Sequence, residues 1–200
     1  ADMHVTGTAL YVDDIPEPAR TLHAVVGKSP VAKGTLKSLD LSAVKASPGV
    51  VDVITIDDIP AERDIGPVFK GDPILAGPEL MFHGQALFVV AADSFRQAKT
   101  AALAAEMDVD EASDAIVTLE QSLAAGARVR PDHTMNKGDT DAALAAAPNT
   151  LTSELYVKGQ EHFYLEGQVS LAVPADDGGV NIFTSSQHPS EVQKLVAEVL

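Results

Sequence analysis

The 200-residue chain carries 29 acidic against 14 basic residues, a formal net charge of −15 at pH 7, and 46% of its residues are hydrophobic. That apolar content supports one large or two modest cores. The charge repels a phosphate backbone and an anionic membrane surface alike, so neither nucleic acid nor membrane is an expected partner. No cysteine is present, which excludes disulfides, thiolate zinc sites and iron–sulfur ligation by this chain.

The N-terminus, Ala1-Asp2-Met3-His4, lacks a secretory pattern, and no apolar run approaches the roughly 18 residues of a spanning helix, so a soluble, cytoplasmic protein is expected. The missing initiator Met points to an excised or trimmed piece. Residues 22–26 and 50–56 are rich in Val and Ile and predict strands. Between them, Asp40 or Ser42 can cap a short helix that ends before Pro48.

Residues 60–78, rich in Gly and Pro and without periodicity, predict a long surface loop. The continuous apolar run 86–92 reads as a buried strand, and Ser94 with Gln97 forms a capping box opening an Ala-rich helix to about Glu106. A last strand over 107–109 would complete a mixed α/β organisation.

Residues 111–136 are acidic, then irregular, and hold the expected domain boundary. Beyond it, Asp139 or Thr140 caps a helix stopped by Pro148, and 151–157, 168–173 and 180–184 have strand composition. A final helix begins at Pro189, whose fixed φ suits the first helical position, and Val192, Leu195, Val196 and Val199 form one apolar stripe along it. The sequence stops on this stripe at Leu200, a second sign of truncation.

The paired acids Asp13-Asp14, Asp57-Asp58 and Asp176-Asp177 lack the alternate ligands of a calcium loop and read as turns or caps. His162 and Glu166, with Glu161 adjacent, would share a helical face, but neither the HExxH order nor a third ligand is evident, so no metal ligand is assigned. No P-loop or GxGxxG fingerprint appears. Ser185, Ser186 and His188 sit outside a nucleophile elbow, and Glu191 is better explained as a first-turn helix residue, so no catalytic residue is assigned. The segment 183–189 runs from a strand directly into a helix, which sets Gln187 at a junction of the kind that often meets ligands.

Two strings carry a more specific signal: Gly159-Gln160-Glu161-His162-Phe163-Tyr164-Leu165-Glu166 and Ser185-Ser186-Gln187-His188-Pro189-Ser190-Glu191-Val192-Gln193. Both closely resemble, in order and spacing, the molybdenum-binding portion of the xanthine dehydrogenase and aldehyde oxidase family. His4-Val5-Thr6-Gly7, Tyr11, Asp13-Asp14-Ile15, the Pro48-Gly49-Val50 turn and Gly84-Gln85 resemble that family's α/β hammerhead domain. The resemblance covers nearly the whole chain.

It implies an α/β (α+β) fold with a hammerhead domain over 1–112, a linker over 113–136 and the truncated start of a molybdopterin-binding domain over 137–200. It also implies a molybdenum–molybdopterin cofactor in the full subunit, with iron–sulfur clusters and FAD on a partner subunit. Gln187 matches the family's glutamine beside the molybdenum, where a neutral carboxamide donates a hydrogen bond without titrating or ligating. It is the one cofactor-binding residue assigned. For the 159–166 string the alternation of Phe163 and Leu165 suits structural packing at the cofactor domain.

The family's GGGFGGKE-type segment and its later catalytic glutamate are absent, so the chain alone is expected to be inactive. The implied activity of the whole enzyme is oxidation of hypoxanthine and xanthine to urate, with electrons passing through iron–sulfur clusters and FAD to NAD. Two alternatives stand beside it: a non-catalytic assembly module of the same fold, with the 60–78 loop as contact surface, and a family member acting on an aldehyde or another N-heterocycle.

Overall fold

The computed structural model describes all 200 residues, which divide into two compact units, 1–115 with 166–200, and 116–165. The first unit begins with α1 (Asp2–Val5) and a 3-10 turn, Val12–Asp14. Then follow β1 (His23–Lys28), β2 (Gly34–Asp40), α2 (Ser42–Lys45), β3 (Val50–Thr55), β4 (Glu79–Leu80), β5 (Ala86–Ala92), α3 (Phe95–Ala102) and β6 (Glu106–Glu111). The second unit holds α4 (Leu119–Ala124) and α5 (Thr140–Ala146). After it the chain returns to the first unit as β7 (Ser170–Pro174), β8 (Val180–Thr184) and α6 (Pro189–Val199).

The expected strands at 22–26, 50–56, 86–92, 107–109, 168–173 and 180–184 all form, those at 86–92 and 180–184 with the expected bounds and the others with shifted ends. Two antiparallel three-stranded sheets, ordered β1-β5-β3 and β4-β2-β6, carry the first half of the chain. β5 lies between two partners and buries Leu87, Phe88, Val90 and Ala92, which is why its sequence is apolar without alternation. Val44 on α2 and Ala98 and Ala101 on α3 join the same core. Here the Ala-rich face of α3 lets helix and sheet approach closely.

β2 is an element the sequence reading lacks. Its two half-buried leucines, Leu36 and Leu39, are three apart because the strand shifts register between Leu36 and Ser38 against β6. A bulge of this kind erases the period-two signal. The capped helix opened by Ser94 stops at Ala102, short of Glu106, because β6 claims Glu106 for pairing with Asp40.

The 60–78 segment is an ordered connection that enters the core near its end. Leu75 and Ala76 are 3% and 4% exposed, and the Ala76 N–H donates to the Ala86 carbonyl at 2.7 Å. Before that, residues 64–72 fold around Asp64, whose carboxylate accepts the backbone N–H groups of Gly66 at 3.0 Å, Gly71 at 2.6 Å and Asp72 at 3.2 Å. The expectation of a wholly superficial loop is therefore corrected: unpaired backbone is made tolerable here by a carboxylate that takes three donors.

The strand expected at 151–157 does not form; the chain from Asn149 to Val169 has no regular secondary structure apart from isolated bends. Leu155, Tyr156 and Val157 are 83%, 71% and 76% exposed. Strand composition becomes a strand only where another edge accepts its hydrogen bonds, and none does so in this unit.

Candidate functional site

β7 and β8 form a hairpin with Ser170 opposite Thr184 and Pro174 opposite Val180. The tight turn between them is closed by Asp177, whose Oδ1 accepts the Gly179 N–H at 3.0 Å. Pairing continues past the strand end: the Ser185 N–H donates to the Val169 carbonyl at 3.3 Å, and the Val169 N–H donates to Ser185 Oγ at the same distance. Thr184 and Ser170 join hydroxyls across the hairpin at 2.8 Å.

Directly beyond, the chain bends at Gln187 and enters α6. His188 is the N-cap of that helix; its Nδ1 accepts the Glu191 N–H at 3.2 Å. The His188 N–H in turn donates to Ser186 Oγ at 3.0 Å. These contacts explain the local sequence: Ser186 holds the bend, His188 satisfies an orphan helix donor, and Pro189 occupies a position with no N–H to satisfy.

They also decide between readings of the 185–188 group. Ser185, Ser186 and His188 each accept a backbone N–H, and no serine is paired with the imidazole as a nucleophile with its base. Gln187 stands apart from this network, exposed to solvent, with its carboxamide engaged by no other group of the chain. Ser185 and Ser186, accepting from backbone, each retain a hydroxyl hydrogen. The junction therefore offers neutral hydrogen-bond donors at Ser185, Ser186 and Gln187, while the neighbouring His188 imidazole is engaged through Nδ1 by the Glu191 N–H. An open cleft of about 350 Å³ is lined by Gln168, Val169, Ser170, Thr184, Ser185 and Ser186, the residues leading up to it.

The 159–166 string is not one constellation. Glu161 Oε1 accepts the His162 and Phe163 N–H groups at 3.0 and 3.4 Å, and the His162 ring stacks on Tyr164 with centroids 5.2 Å apart and planes 9° from parallel. Glu166 does something else: its Oε1 accepts the N–H of Val12, 154 residues away in sequence, at 2.9 Å. No helix places His162 and Glu166 on a common face.

Phe163 and Leu165 find no packing partner within these 200 residues. They are 92% and 87% exposed. Phe163 adopts φ 54°, and this left-handed residue breaks the extended run on which an alternating face depends.

The paired acids behave as read. Asp14 Oδ2 accepts the Tyr11 N–H at 2.9 Å, and Asp58 Oδ2 accepts both the N–H and the hydroxyl of Thr55, at 2.7 and 2.8 Å. Those donors hold the Asp58 carboxyl below its ordinary value, the Thr55 N–H foremost. The contact of Glu166 with Val12 is the feature sequence reasoning missed, and a tie across 154 residues leaves no local signal.

A family model described as "Aldehyde oxidase and xanthine dehydrogenase, a/b hammerhead domain" matches residues 6–113, and one described as "Molybdopterin cofactor-binding domain" matches residues 124–200. A xanthine dehydrogenase of Drosophila pseudoobscura pseudoobscura is 39% identical over 197 residues, 97% of this chain and 15% of that protein. Aldehyde oxidase 4 of Mus musculus is 35% identical over 198 residues, 98% of this chain and 14% of that protein. Among solved structures, the aldehyde oxidoreductase from Desulfovibrio desulfuricans matches with a TM-score of 0.82 and 26% identity, over 99% of this chain and 24% of that one. The chain thus spans about 15% of the length of the curated relatives it matches.

Proposed function

The chain belongs to the aldehyde oxidase and xanthine dehydrogenase family, and from that premise we propose that it supplies one wall of a molybdenum hydroxylase active site, with Gln187 as the donor that faces the cofactor. The supporting observation is the unengaged carboxamide of Gln187 at a junction whose neighbouring polar groups are committed to backbone. The donor set suits the group. A molybdopterin-held metal presents oxygen ligands, and a neutral amide donates to such an acceptor without competing as a ligand. When bound, the cofactor supplies oxygen transfer to a substrate carbon together with two-electron redox chemistry.

This chain's own part is then limited and specific. Ser186 and His188 fix the bend, the Ser185–Val169 pair fixes the strand end beneath it, and Gln187 is held at the exit with both amide hydrogens free to donate. A donor set in place before reaction stabilises charge that develops on its acceptor without reorganisation. The catalytic base is assigned to no residue here.

The substrate reading is a purine: hypoxanthine and xanthine oxidised to urate, with electrons leaving through iron–sulfur clusters and FAD to NAD on a partner subunit, in the cytoplasm. The xanthine dehydrogenase match supports it. A second reading, an aldehyde as substrate, has equal claim on the relatives, since the aldehyde oxidase match is almost as high over the same span. In this proposal residues 1–112 form the hammerhead domain, 113–136 the linker and 137–200 the start of the cofactor domain.

Metal analysis of the full-length protein, with dye reduction measured on hypoxanthine, xanthine, an aldehyde and a simple N-heterocycle, separates these readings. Molybdenum with purine-dependent turnover is the expected result. Turnover on the aldehyde alone transfers the assignment to the second reading, and absence of both metal and turnover leaves a non-catalytic assembly module.

A further inference from the structure

We infer that Glu166 is a positioning residue that ties the N-terminal arm to the strand end from which Gln187 projects. The inference rests on the reading of Gln187 as the cofactor-facing donor, and concerns how that donor is held.

The connection is continuous. The Val12 N–H, first in the 3-10 turn Val12–Asp14, donates to Glu166 Oε1 at 2.9 Å in a partly buried setting. The turn is closed on itself, since Tyr11 N–H donates to Asp14 Oδ2 at 2.9 Å and Ile15 N–H to the Val12 carbonyl at 3.1 Å. Glu166 therefore grips a preformed unit and not a free strand of chain. Three residues on, Val169 exchanges two hydrogen bonds with Ser185, one through its N–H to Ser185 Oγ and one through its carbonyl, both 3.3 Å. Gln187 follows Ser185 by two residues.

The Val169–Ser185 contacts are long, and residues 166–169 have no ladder of their own before β7 begins at Ser170. The entry to the hairpin thus has one strong anchor upstream, and it is the charge-assisted bond at Glu166. Such a bond is stronger than its neutral counterpart. Loosening it lets residues 166–169 shift, and with them the partner on which Ser185, and so Gln187, is registered.

Hydrogen–deuterium exchange on the full-length protein tests this apart from turnover. Glu166→Ala removes the acceptor; Val12→Pro removes the donor at a first-turn position that accommodates proline and leaves the carboxylate in place. Both are expected to raise exchange at the hydrogen-bonded amides of residues 169, 185 and 188 by about tenfold, the loss of one charge-assisted hydrogen bond. The double variant is expected to add nothing to either single, and Glu166→Gln, which keeps a carbonyl acceptor, to raise exchange less than Glu166→Ala.

Faster exchange confined to residues 11–15, with residues 169, 185 and 188 unchanged, would overturn the inference, as would additive effects in the double variant. Should Glu166→Ala fail to fold, Val12→Pro and Glu166→Gln carry the same test. Because exchange reports geometry alone, the tie can stand even if Gln187 proves to have no role at the cofactor.

Discussion

Gly27 shows how far a single residue commits this fold. It pairs with Phe88 across β1 and β5, and a Cβ built there would lie 2.1 Å from the Phe88 ring, itself wholly buried. Gly27→Ala must displace that ring within a packed core, so a loss of about 1–3 kcal/mol is expected in thermal or chemical denaturation. Asp64 works by acceptance instead of space. The N–H of Gly66 foremost, with those of Gly71 and Asp72 and the nearby Lys70 charge, outweighs desolvation and holds its carboxyl below the ordinary carboxylate range. A lowered carboxyl contributes order in full above its unfolded value and loses it as pH falls through the folded one. Amide resonances of Gly66, Gly71 and Asp72 are therefore expected to stay unchanged from neutrality to about pH 4 and to move together only below it. Movement starting well above that range would mean the three amides are not held by this carboxylate.

At the scale of elements, what could be read from sequence follows from where the determining contacts lie. α3 was legible because its cap is local: Ser94 Oγ accepts the Gln97 N–H at 3.3 Å, and Ser94→Ala is expected to cost about 1 kcal/mol on denaturation. α6 was legible for the same reason, its stripe of Val192, Leu195, Val196 and Val199 being the partly buried side of an otherwise mainly exposed helix. β2 was hidden by its bulge, which gives Leu36 and Leu39 a helix-like spacing of three. The run 151–157 misled in the opposite direction, because its composition suits a strand and its pairing depends on an edge that no local pattern can announce. The half-buried tie between Val12 and Glu166 belongs to the same class: two segments 154 residues apart decide it.

At the scale of the whole molecule, family and fold class were legible from two strings and a scatter of N-terminal residues, and the family models match 6–113 and 124–200. The net charge of −15 and the lack of cysteine set limits on what the chain can do by itself; no Cys-ligated iron–sulfur cluster can be held by these 200 residues. No helix is long and apolar enough to cross a membrane. What sequence could not supply was the local use of each polar group at the 185–188 junction, since only the hydrogen-bond geometry separates the engaged Ser185, Ser186 and His188 from the unengaged Gln187.

The reading of that junction meets its most direct test in Gln187→Ala, made in the full-length protein and measured for molybdenum content and for turnover on the best substrate. The account predicts metal content equal to that of the unaltered protein and kcat lower by roughly a hundredfold, the scale of losing one preoriented donor at a developing charge. Unchanged kcat with molybdenum retained would contradict it.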